Sequence, residues 1–407
     1  MRAIGTAVVA LALLLGAREG RAQQDSVLTV KREGTELLRL NADGGFVVRG
    51  SATGEIPAQG SGARLMWFPA RWALRAGKVD SWGSTYWDPT NVGAGSVAFG
   101  YNTRATGTNA LAAGEGTTAT GGNSVALGNL STASGDGSFA AVNGTAGGSG
   151  AIAMGIGAQA TADDALAFGP SSIANGYASV TIGPSIANGS FGVAIGLQNS
   201  ASGNYSVAIG KNARTANRQG SIVLGDGCAG FSSDSVYPTA NNQIVMRGCG
   251  GVKIYSNQSL SSGVELAAGG GSWSSVSDVN RKENFAELDG EEVLARLREV
   301  PVRTWNYTSQ DPSIRHAGPT AQDFHAAFGL VESELLINAV DIDGVNLAAV
   351  KALEARSAKQ QERIESLEAE VAKLRAELEA QRRLQAEQQA ALAALAAQLK
   401  EIATREN

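Results

Sequence analysis

The chain has 407 residues and a formal net charge of −5 at pH 7, and it has no basic cluster, which argues against nucleic acid as a partner. The two histidines, His316 and His325, and the two cysteines, Cys228 and Cys249, are too few and wrongly spaced for a structural zinc site. We therefore expect neither a metal nor a cofactor.

Residues 1–22 have the pattern of a secretory signal peptide. Arg2 makes the start basic, an apolar run follows at residues 8–15, and small residues precede Ala22. We expect cleavage between Ala22 and Gln23, and export of the mature chain. Elsewhere the sequence lacks a run of about eighteen apolar residues, so no integral membrane segment is expected after signal removal.

Residues 23–90 hold short alternating runs, such as Leu37–Leu40 and Phe46–Arg49, that are interrupted by glycine and proline. Four of the six tryptophans also fall here. This pattern predicts an irregular β cap on the segment that follows, because the terminal units of a repeat array need capping. The alternative is a tryptophan-rich surface that binds sugars by stacking.

Between residues 91 and 226 a short phrase, small-apolar-Ala-apolar-Gly, occurs ten times, and one of the copies, residues 138–142, is decayed. The closing positions are 13 to 15 residues apart, a period that is typical of a solenoid whose units must stack to bury their apolar faces. Strand alternation places the two apolar residues on one side and the alanine on the other. We expect Val97, Leu127, Ile195 and their equivalents to point inward. The intact copies close at Gly100, Gly114, Gly128, Gly155, Gly169, Gly183, Gly196, Gly210 and Gly225.

These repeats resemble the head of trimeric autotransporter adhesins, a left-handed parallel β-roll. The resemblance implies a secreted or surface-exposed homotrimer that binds a surface, protein or glycan, which the sequence does not identify. A disordered Gly/Ala/Ser linker, the alternative, would not carry apolar residues at a fixed phase. The family ends in a membrane anchor of amphipathic strands, whereas this sequence ends in residues 404–407 after a helical pattern. We expect any retention at the cell surface to need another device.

Residues 227–275 contain strand-like pieces at Gln243–Arg247 and Val252–Tyr255, and we interpret them as a β connector. In an exported protein, Cys228 and Cys249 favour a disulfide that closes a loop of about twenty residues, which contributes about 3 kcal/mol. Pairing within one chain and pairing between chains both remain open. The alternative is two free buried thiols.

The segment Ser277–Lys282 is the one stretch of the sequence that could carry a reaction. A serine becomes a nucleophile when a nearby base takes its proton, and a lysine amine can serve as that base. A serine five residues before a lysine, in a turn after an extended segment, could place the two groups together. Farther on, the sequence predicts a helix at residues 291–300, a strand at residues 301–307 and a second short helix after His316.

Four spaced segments, residues 273–278, 282–285, 302–307 and 316–324, resemble in their order the peptidase S74 domain, the intramolecular chaperone of phage tailspikes and endosialidases. The resemblance implies that residues 276–370 trimerise, guide assembly of the preceding β-rich part and cut the Val276–Ser277 bond in a single turnover. Ser277 would be the nucleophile and Lys282 the base.

The sequence departs from that family's usual pattern, Ser-Asp-x-Arg-x-Lys. Asn280 holds the arginine position, and Arg281 lies one residue later. Two alternatives stay open for this segment. Ser277 and Asp278 could merely cap the beginning of the domain, or the chain could be a peptidase that acts on other proteins, with the solenoid as a display arm.

Residues 351–407 carry a heptad pattern that predicts a coiled coil, with a glutamine-rich middle that can set register. A single amphipathic surface helix is the alternative. The fold class we predict is mainly β: a trimeric parallel β-roll or solenoid, then a small α+β chaperone domain and the C-terminal coiled coil. The apolar seam is formed by Val350, Leu353, Ile364, Leu367, Val371, Leu374, Leu378, Leu392, Leu395, Leu399 and Ile402.

Overall fold

The computed structural model describes residues 26–228, 235–330 and 333–405. The predicted signal cleavage between Ala22 and Gln23 lies outside them. The chain divides into two compact units. The first runs to Val252 and includes Ala267–Gly270, and the second comprises Lys253–Leu266 and the chain from Gly271 onward.

The first unit begins with two antiparallel groups of strands. A three-stranded sheet contains β1 (Ser26–Arg32), β2 (Thr35–Asn41) and β3 (Phe46–Val48). A hairpin follows, formed by β4 (Gly62–Phe68) and β5 (Ala73–Val79). Strand β5 then pairs in parallel with the first strand of the repeat array, so that this hairpin closes the array at its N-terminal end.

The repeats form a β-solenoid of about nine turns. Each turn adds one longer strand to a 13-stranded sheet, which β4 and β5 also join, and most turns add a two-residue strand to an 8-stranded sheet. Residues one repeat apart are paired in parallel, as Leu111 with Val125. The longer strands are β6 (Val97–Tyr101), β8 (Leu111–Glu115), β10 (Val125–Asn129), β12 (Phe139–Ala141), β14 (Ile152–Met154), β16 (Leu166–Phe168), β18 (Val180–Ile182), β20 (Val193–Leu197), β22 (Val207–Lys211), β23 (Ile222–Gly225) and β24 (Ile244–Met246). The short strands are β7 (Arg104–Ala105), β9 (Thr118–Ala119), β11 (Thr132–Ala133), β13 (Thr145–Ala146), β15 (Gln159–Ala160), β17 (Ile173–Ala174), β19 (Ile186–Ala187) and β21 (Ser200–Ala201).

Alanine fills the interior of the solenoid, and the predicted inward orientation of Val97, Leu127 and Ile195 is wrong. The central residue of each phrase is fully buried, and it is an alanine, such as Ala126, in all copies except those with Thr181 and Val223. The alanine of each short strand is also fully buried. The larger apolar residues lie on the opposite face of the longer strands and are only half-buried in the single chain. The physical reason is the thinness of the coil, since two facing strands this close leave room for a methyl group but not for an isobutyl group.

The small and glycine positions of the phrase close the corners of each coil. Ser96, Ser124 and Ser206 are buried, and each hydroxyl donates a hydrogen bond of 2.6 Å to the carbonyl three residues earlier. Gly100 has φ +116°, and a Cβ there would overlap the carbonyl oxygen of Gly114 in the next coil. The repeat therefore encodes hydrogen-bonded corners and close stacking as well as strands.

Arg75 fills the N-terminal end of the solenoid interior. It is paired with Ala98 in the adjacent strand, and its side chain is fully buried. The guanidinium donates hydrogen bonds to the carbonyls of Ser96 and Ala105 at 2.9 and 3.0 Å, and to the Ser96 hydroxyl at 2.8 Å. Burial lowers the pKa of Arg75 to about 10. The arginine thus adds a second donor to two buried carbonyls that already accept a backbone N–H, that of Leu74 at Ser96 and that of Gly93 at Ala105.

Replacing Arg75 by methionine should destabilise the first unit by about 3 kcal/mol, because it removes the buried hydrogen bonds that the guanidinium donates to Ser96 and Ala105. The measurement is the midpoint of unfolding followed by circular dichroism. The matched control is Arg71→Met, since Arg71 lies in the turn between β4 and β5 and its exposed side chain should tolerate the change. Equal midpoints for the two variants would contradict the role given to Arg75.

The structure joins Cys228 and Cys249 by a disulfide, with Cα atoms 6.2 Å apart, just beyond β23. Asp226 lies beside it and accepts hydrogen bonds from the Cys249 N–H at 2.6 Å and from Arg247 Nε at 2.8 Å. These contacts, the Cys249 N–H first, hold the pKa of Asp226 below its usual value.

The second unit is small and mixed α and β, with one long helix. Strands β25 (Val252–Tyr255), β26 (Gly263–Leu266) and β27 (Trp273–Ser275) form one sheet, and β28 (Arg303–Trp305) pairs antiparallel with β29 (His316–Gly318). The helices are α1 (Gly290–Glu299), α2 (Ala321–Phe328) and α3 (Ala339–Arg405). Val293, Phe324, Val345 and Ala349 form the core where the three helices meet. The helices predicted at residues 291–300 and after His316, and the strand predicted after Pro301, are confirmed.

Helix α3 confirms that the segment with the heptad pattern is helical. Its first turns pack in the core, and Arg356 forms an ion pair with Glu291 at the beginning of α1. From Leu353 to Ala403 every side chain is exposed in the single chain, including the whole predicted apolar seam in that range. Within the described residues, none of the helices is both long and apolar enough to cross a membrane.

Candidate active site

The structure brings Ser277 and Lys282 into contact. Strand β27 ends at Ser275, and the Val276 N–H extends the sheet pairing by donating to the Gly263 carbonyl at 3.1 Å. The chain then turns, and Lys282 Nζ returns to donate a hydrogen bond of 2.7 Å to Ser277 Oγ. The hydroxyl and the amine are thus within proton-transfer distance, and the amide bond between Val276 and Ser277 is immediately adjacent.

A single turn of 3-10 helix, Val279–Arg281, produces this contact. Asp278 caps it, since its Oδ1 accepts from the Asn280 N–H at 2.9 Å and from Asn280 Nδ2 at 3.0 Å. These bonds, the backbone one first, hold the pKa of Asp278 below its usual value. The turn ends where the Lys282 N–H donates to the Val279 carbonyl at 3.3 Å. Asp278 is therefore the capping residue, and Ser277 is left with its hydroxyl directed at the lysine.

The pair lies in an open cleft of about 480 Å³. Its walls come from the β25–β26–β27 sheet and from the beginning of α3, and both Ser277 and Lys282 are exposed in the single chain. Val276, the residue on the acyl side of the predicted scissile bond, lines the same cleft. The remaining lining residues are Ile254, Ser256, Ser262, Gly263, Val264, Ser275, Asn338 and Val340.

The histidines take no part in this arrangement. His316 belongs to an aromatic cluster, with ring centroids 4.9 Å from Trp305 and 5.6 Å from Tyr307, and its Nε2 lies 2.9 Å from Gln310 Oε1. His325 Nε2 is 3.9 Å from a Glu334 oxygen. In the part of the chain that the structure describes, neither histidine lines the Ser277 cleft. Lys282 is the side chain in contact with Ser277 that can act as a base.

The described residues contain one cluster of potential metal ligands, Asp226 with Cys228 and Cys249, whose ligand atoms lie within 4.8 Å of one another. Because the two sulfurs are joined to each other, the cluster offers no thiolate. Its donor set therefore does not fit a metal ion in the oxidised protein.

Sequence reasoning missed the residues that complete the cleft. Asn338 and Val340 come from more than fifty residues later in the chain. Leu260 lies in the loop between β25 and β26, and its carbonyl accepts a hydrogen bond from Arg281 in the turn. Nothing local in the sequence links them to Ser277, because only the packing of α3 and the sheet brings them together. Arg281 itself was visible as a departure from the family pattern.

Two family models match the chain. Residues 277–331 match Peptidase S74, the chaperone of endosialidase, and the match begins at Ser277. The YadA head domain repeat matches residues 92–117, 119–141, 146–172 and 187–213. Among curated proteins, no significant match to the chain was found. The chain thus contains YadA head repeats in a β-solenoid and a Peptidase S74 chaperone domain.

Proposed function

We propose that this protein is an exported, homotrimeric, adhesin-like fibre whose second unit is an intramolecular trimerisation chaperone that cuts the Val276–Ser277 bond. The observation that carries the proposal is the 2.7 Å contact between Lys282 Nζ and Ser277 Oγ, at the first residue of the match to the chaperone family. The two matched families are typically trimeric and suggest an extracellular location.

Two apolar surfaces of the single chain support a trimer. The outer face of the longer strands carries two apolar columns, in which side chains such as Phe99, Ile182 and Ile209 are 37 to 46 % exposed. The apolar seam of α3 is exposed over about fifty residues, a length that favours a coiled coil over a surface helix. Partner copies of the same chain would cover both surfaces, because identical chains in parallel present the same columns at the same height.

The proposed reaction is an acyl shift followed by hydrolysis. Neutral Lys282 takes the Ser277 hydroxyl proton while Ser277 Oγ attacks the Val276 carbonyl carbon. The C–N bond then breaks, the Ser277 nitrogen takes up a proton and becomes a free amine, and Val276 becomes an ester on Ser277 Oγ. Water hydrolyses the ester to the Val276 carboxylate and the Ser277 hydroxyl. Because the reactants are tethered, modest catalysis is sufficient for one turnover.

Assembly of the trimer would reduce the exposure of the cleft to water. In the single chain Lys282 is exposed to water, and in the structure its amine acts as the donor to Ser277. The base function requires the neutral amine, and burial disfavours the charged form of such a group. The beginning of α3 already lines the cleft, so coiled-coil formation by α3 is positioned to order and cover it. This arrangement gives cleavage a dependence on trimerisation.

The test of the whole proposal is intact mass together with multi-angle light scattering on the purified protein. We expect a fragment ending at Val276, a fragment beginning at Ser277, and a scattering mass of three chains. A trimer of uncleaved chains would leave the second unit as a chaperone only. A cleaved monomer would remove the proposed trimer.

Removing the exposed part of α3 should impair assembly more than folding. A truncation after Ser357 keeps Val345, Ala349 and the ion pair of Arg356, and it deletes most of the apolar seam. We expect the trimer yield at low protein concentration to fall by a factor of about ten or more, because the chains lose the tether that keeps them at high effective concentration. Circular dichroism of the head should be unchanged. Equal yields at the same low concentration would contradict the role of α3.

A further inference from the structure

Arg281 connects the turn that carries the dyad to the neighbouring β25–β26 loop. Its Nη1 donates a hydrogen bond of 2.7 Å to the Leu260 carbonyl, and its Nε lies 3.7 Å from Asp278 Oδ2. One side chain therefore holds both the capping residue of the turn and the loop across from it. Lys282 follows directly in the sequence.

The loop that receives Arg281 is itself well organised. Asn257 Oδ1 accepts the N–H groups of Ser261 and Ser262 at 2.9 and 3.2 Å, and Asn257 Nδ2 donates to the Ser261 hydroxyl at 2.6 Å. Leu260 has φ 54°, in the left-handed region that a residue with a bulky side chain rarely adopts. This conformation is held by the surrounding bonds, so the Leu260 carbonyl is a fixed acceptor for Arg281.

The same loop forms part of the cleft wall. Ser256 and Ser262, at its two ends, both line the cleft of Ser277 and Lys282, and the Ser256 N–H donates to the Ser262 carbonyl at 2.9 Å. The bond between Arg281 and Leu260 therefore fixes the 3-10 turn relative to the wall against which the scissile segment lies. Without it, the turn keeps its internal hydrogen bonds but loses this link to the cleft wall.

The geometry points to Arg281 as a positioning residue for the Ser277–Lys282 dyad, an assignment that rests on the proposed self-cleavage. Asn280, at the position where the related pattern has arginine, bonds to Asp278 inside the turn and does not reach the loop. The arginine one residue later makes the connection to Leu260 instead. The shifted sequence thus retains an arginine that fixes the turn, and the dyad keeps its contact.

The experiment is a pulse-chase of the full chain in cell-free translation, which follows the single turnover as newly made protein assembles. We expect Arg281→Ala to slow cleavage by about 10- to 100-fold, the effect of a small misplacement of reacting groups. Arg281→Lys should restore part of the rate, since an ammonium group can still donate to the Leu260 carbonyl. Guanidinium ion, added to Arg281→Ala far below denaturing concentrations, should do the same. Arg298→Ala, an exposed arginine elsewhere in the second unit, is the matched control.

The outcomes separate this assignment from the proposed function. If the wild type cleaves and Arg281→Ala cleaves at the same rate, the positioning role is overturned and the self-cleavage stands. A slow Arg281→Ala that also loses trimer and thermal stability, and that neither lysine nor guanidinium rescues, would make Arg281 a folding residue and would overturn its role. A wild type that trimerises without cleavage would overturn the self-cleavage, and the assignment of Arg281 with it.

Discussion

Ser277→Ala should leave the chain at full length, with the cleavage rate reduced by about a thousandfold or more. The substitution removes the oxygen that attacks the Val276 carbonyl, and the alanine methyl group cannot replace it. Folding should be unaffected, because Ser277 is exposed and the substitution removes one surface hydrogen bond, the one that its hydroxyl accepts from the Lys282 amine. Intact mass and sequencing of the new N-terminus, which should begin at Ser277 in the wild type, check the result. The matched control is Ser274→Ala, at an exposed serine of β27 that does not line the cleft.

Substitutions at Lys282 distinguish a base from an anchor. Arginine at this position can still donate a hydrogen bond to Ser277 Oγ, but it does not lose its proton at accessible pH. Lys282→Arg should therefore stay uncleaved even though it preserves the charge. Rapid cleavage by Lys282→Arg would show that Lys282 only holds the serine in place.

Mixing the variants distinguishes self-cleavage from a peptidase that acts on other proteins. Val276 lies in the same cleft as the dyad and is held there by its bond to the Gly263 carbonyl, which favours attack on the chain's own backbone. Purified wild-type protein, added to assembled Ser277→Ala protein, should leave the variant intact. Turnover of the variant in this mixture would favour the peptidase instead.

The repeat predicted the solenoid from sequence but not which face of each strand points inward. Strand alternation places Val97 and Phe99 on one side and Ala98 on the other. It does not show which of the two sides faces the interior of the solenoid. The relevant clue was size: the central residue is alanine in nearly every copy, while its neighbours vary from alanine to phenylalanine. A constant small residue indicates a constrained interior, and variable larger ones indicate a face whose partner lies outside the coil.

The site could be predicted from sequence as far as it is local. Ser277 and Lys282 are one turn apart, so spacing and the family pattern were sufficient to suggest their contact. Arg75 could not be anticipated, because it lies 23 residues before Ala98 and so falls outside the repeat period, although it occupies an interior position. The loop at Leu260 depends on tertiary packing in the same way, since a backbone carbonyl carries no sequence signal.

Ile195→Asp should prevent trimer assembly while leaving the coil of each chain folded. Ile195 lies in the outer apolar column, paired with Ile182 on one side and Ile209 on the other, and it is half-buried in the single chain. A carboxylate there reaches water in the monomer, so the monomer should tolerate it. In a trimer it would be buried without a partner, at a cost of about 3 kcal/mol or more for each chain.

Two further substitutions to aspartate serve as matched controls for Ile195→Asp. Ala194→Asp, one residue earlier, places the charge in the fully buried interior and should unfold the coil itself. Ser200→Asp places it on the outer face of a short strand and should change neither folding nor assembly if the trimer packs through the longer strands. Light scattering reports assembly, and circular dichroism reports folding. Ile195→Asp that remains as trimeric and as heat-resistant as the parent would mean that these columns are not the interface, and the exposed seam of α3 would then have to hold the chains together alone.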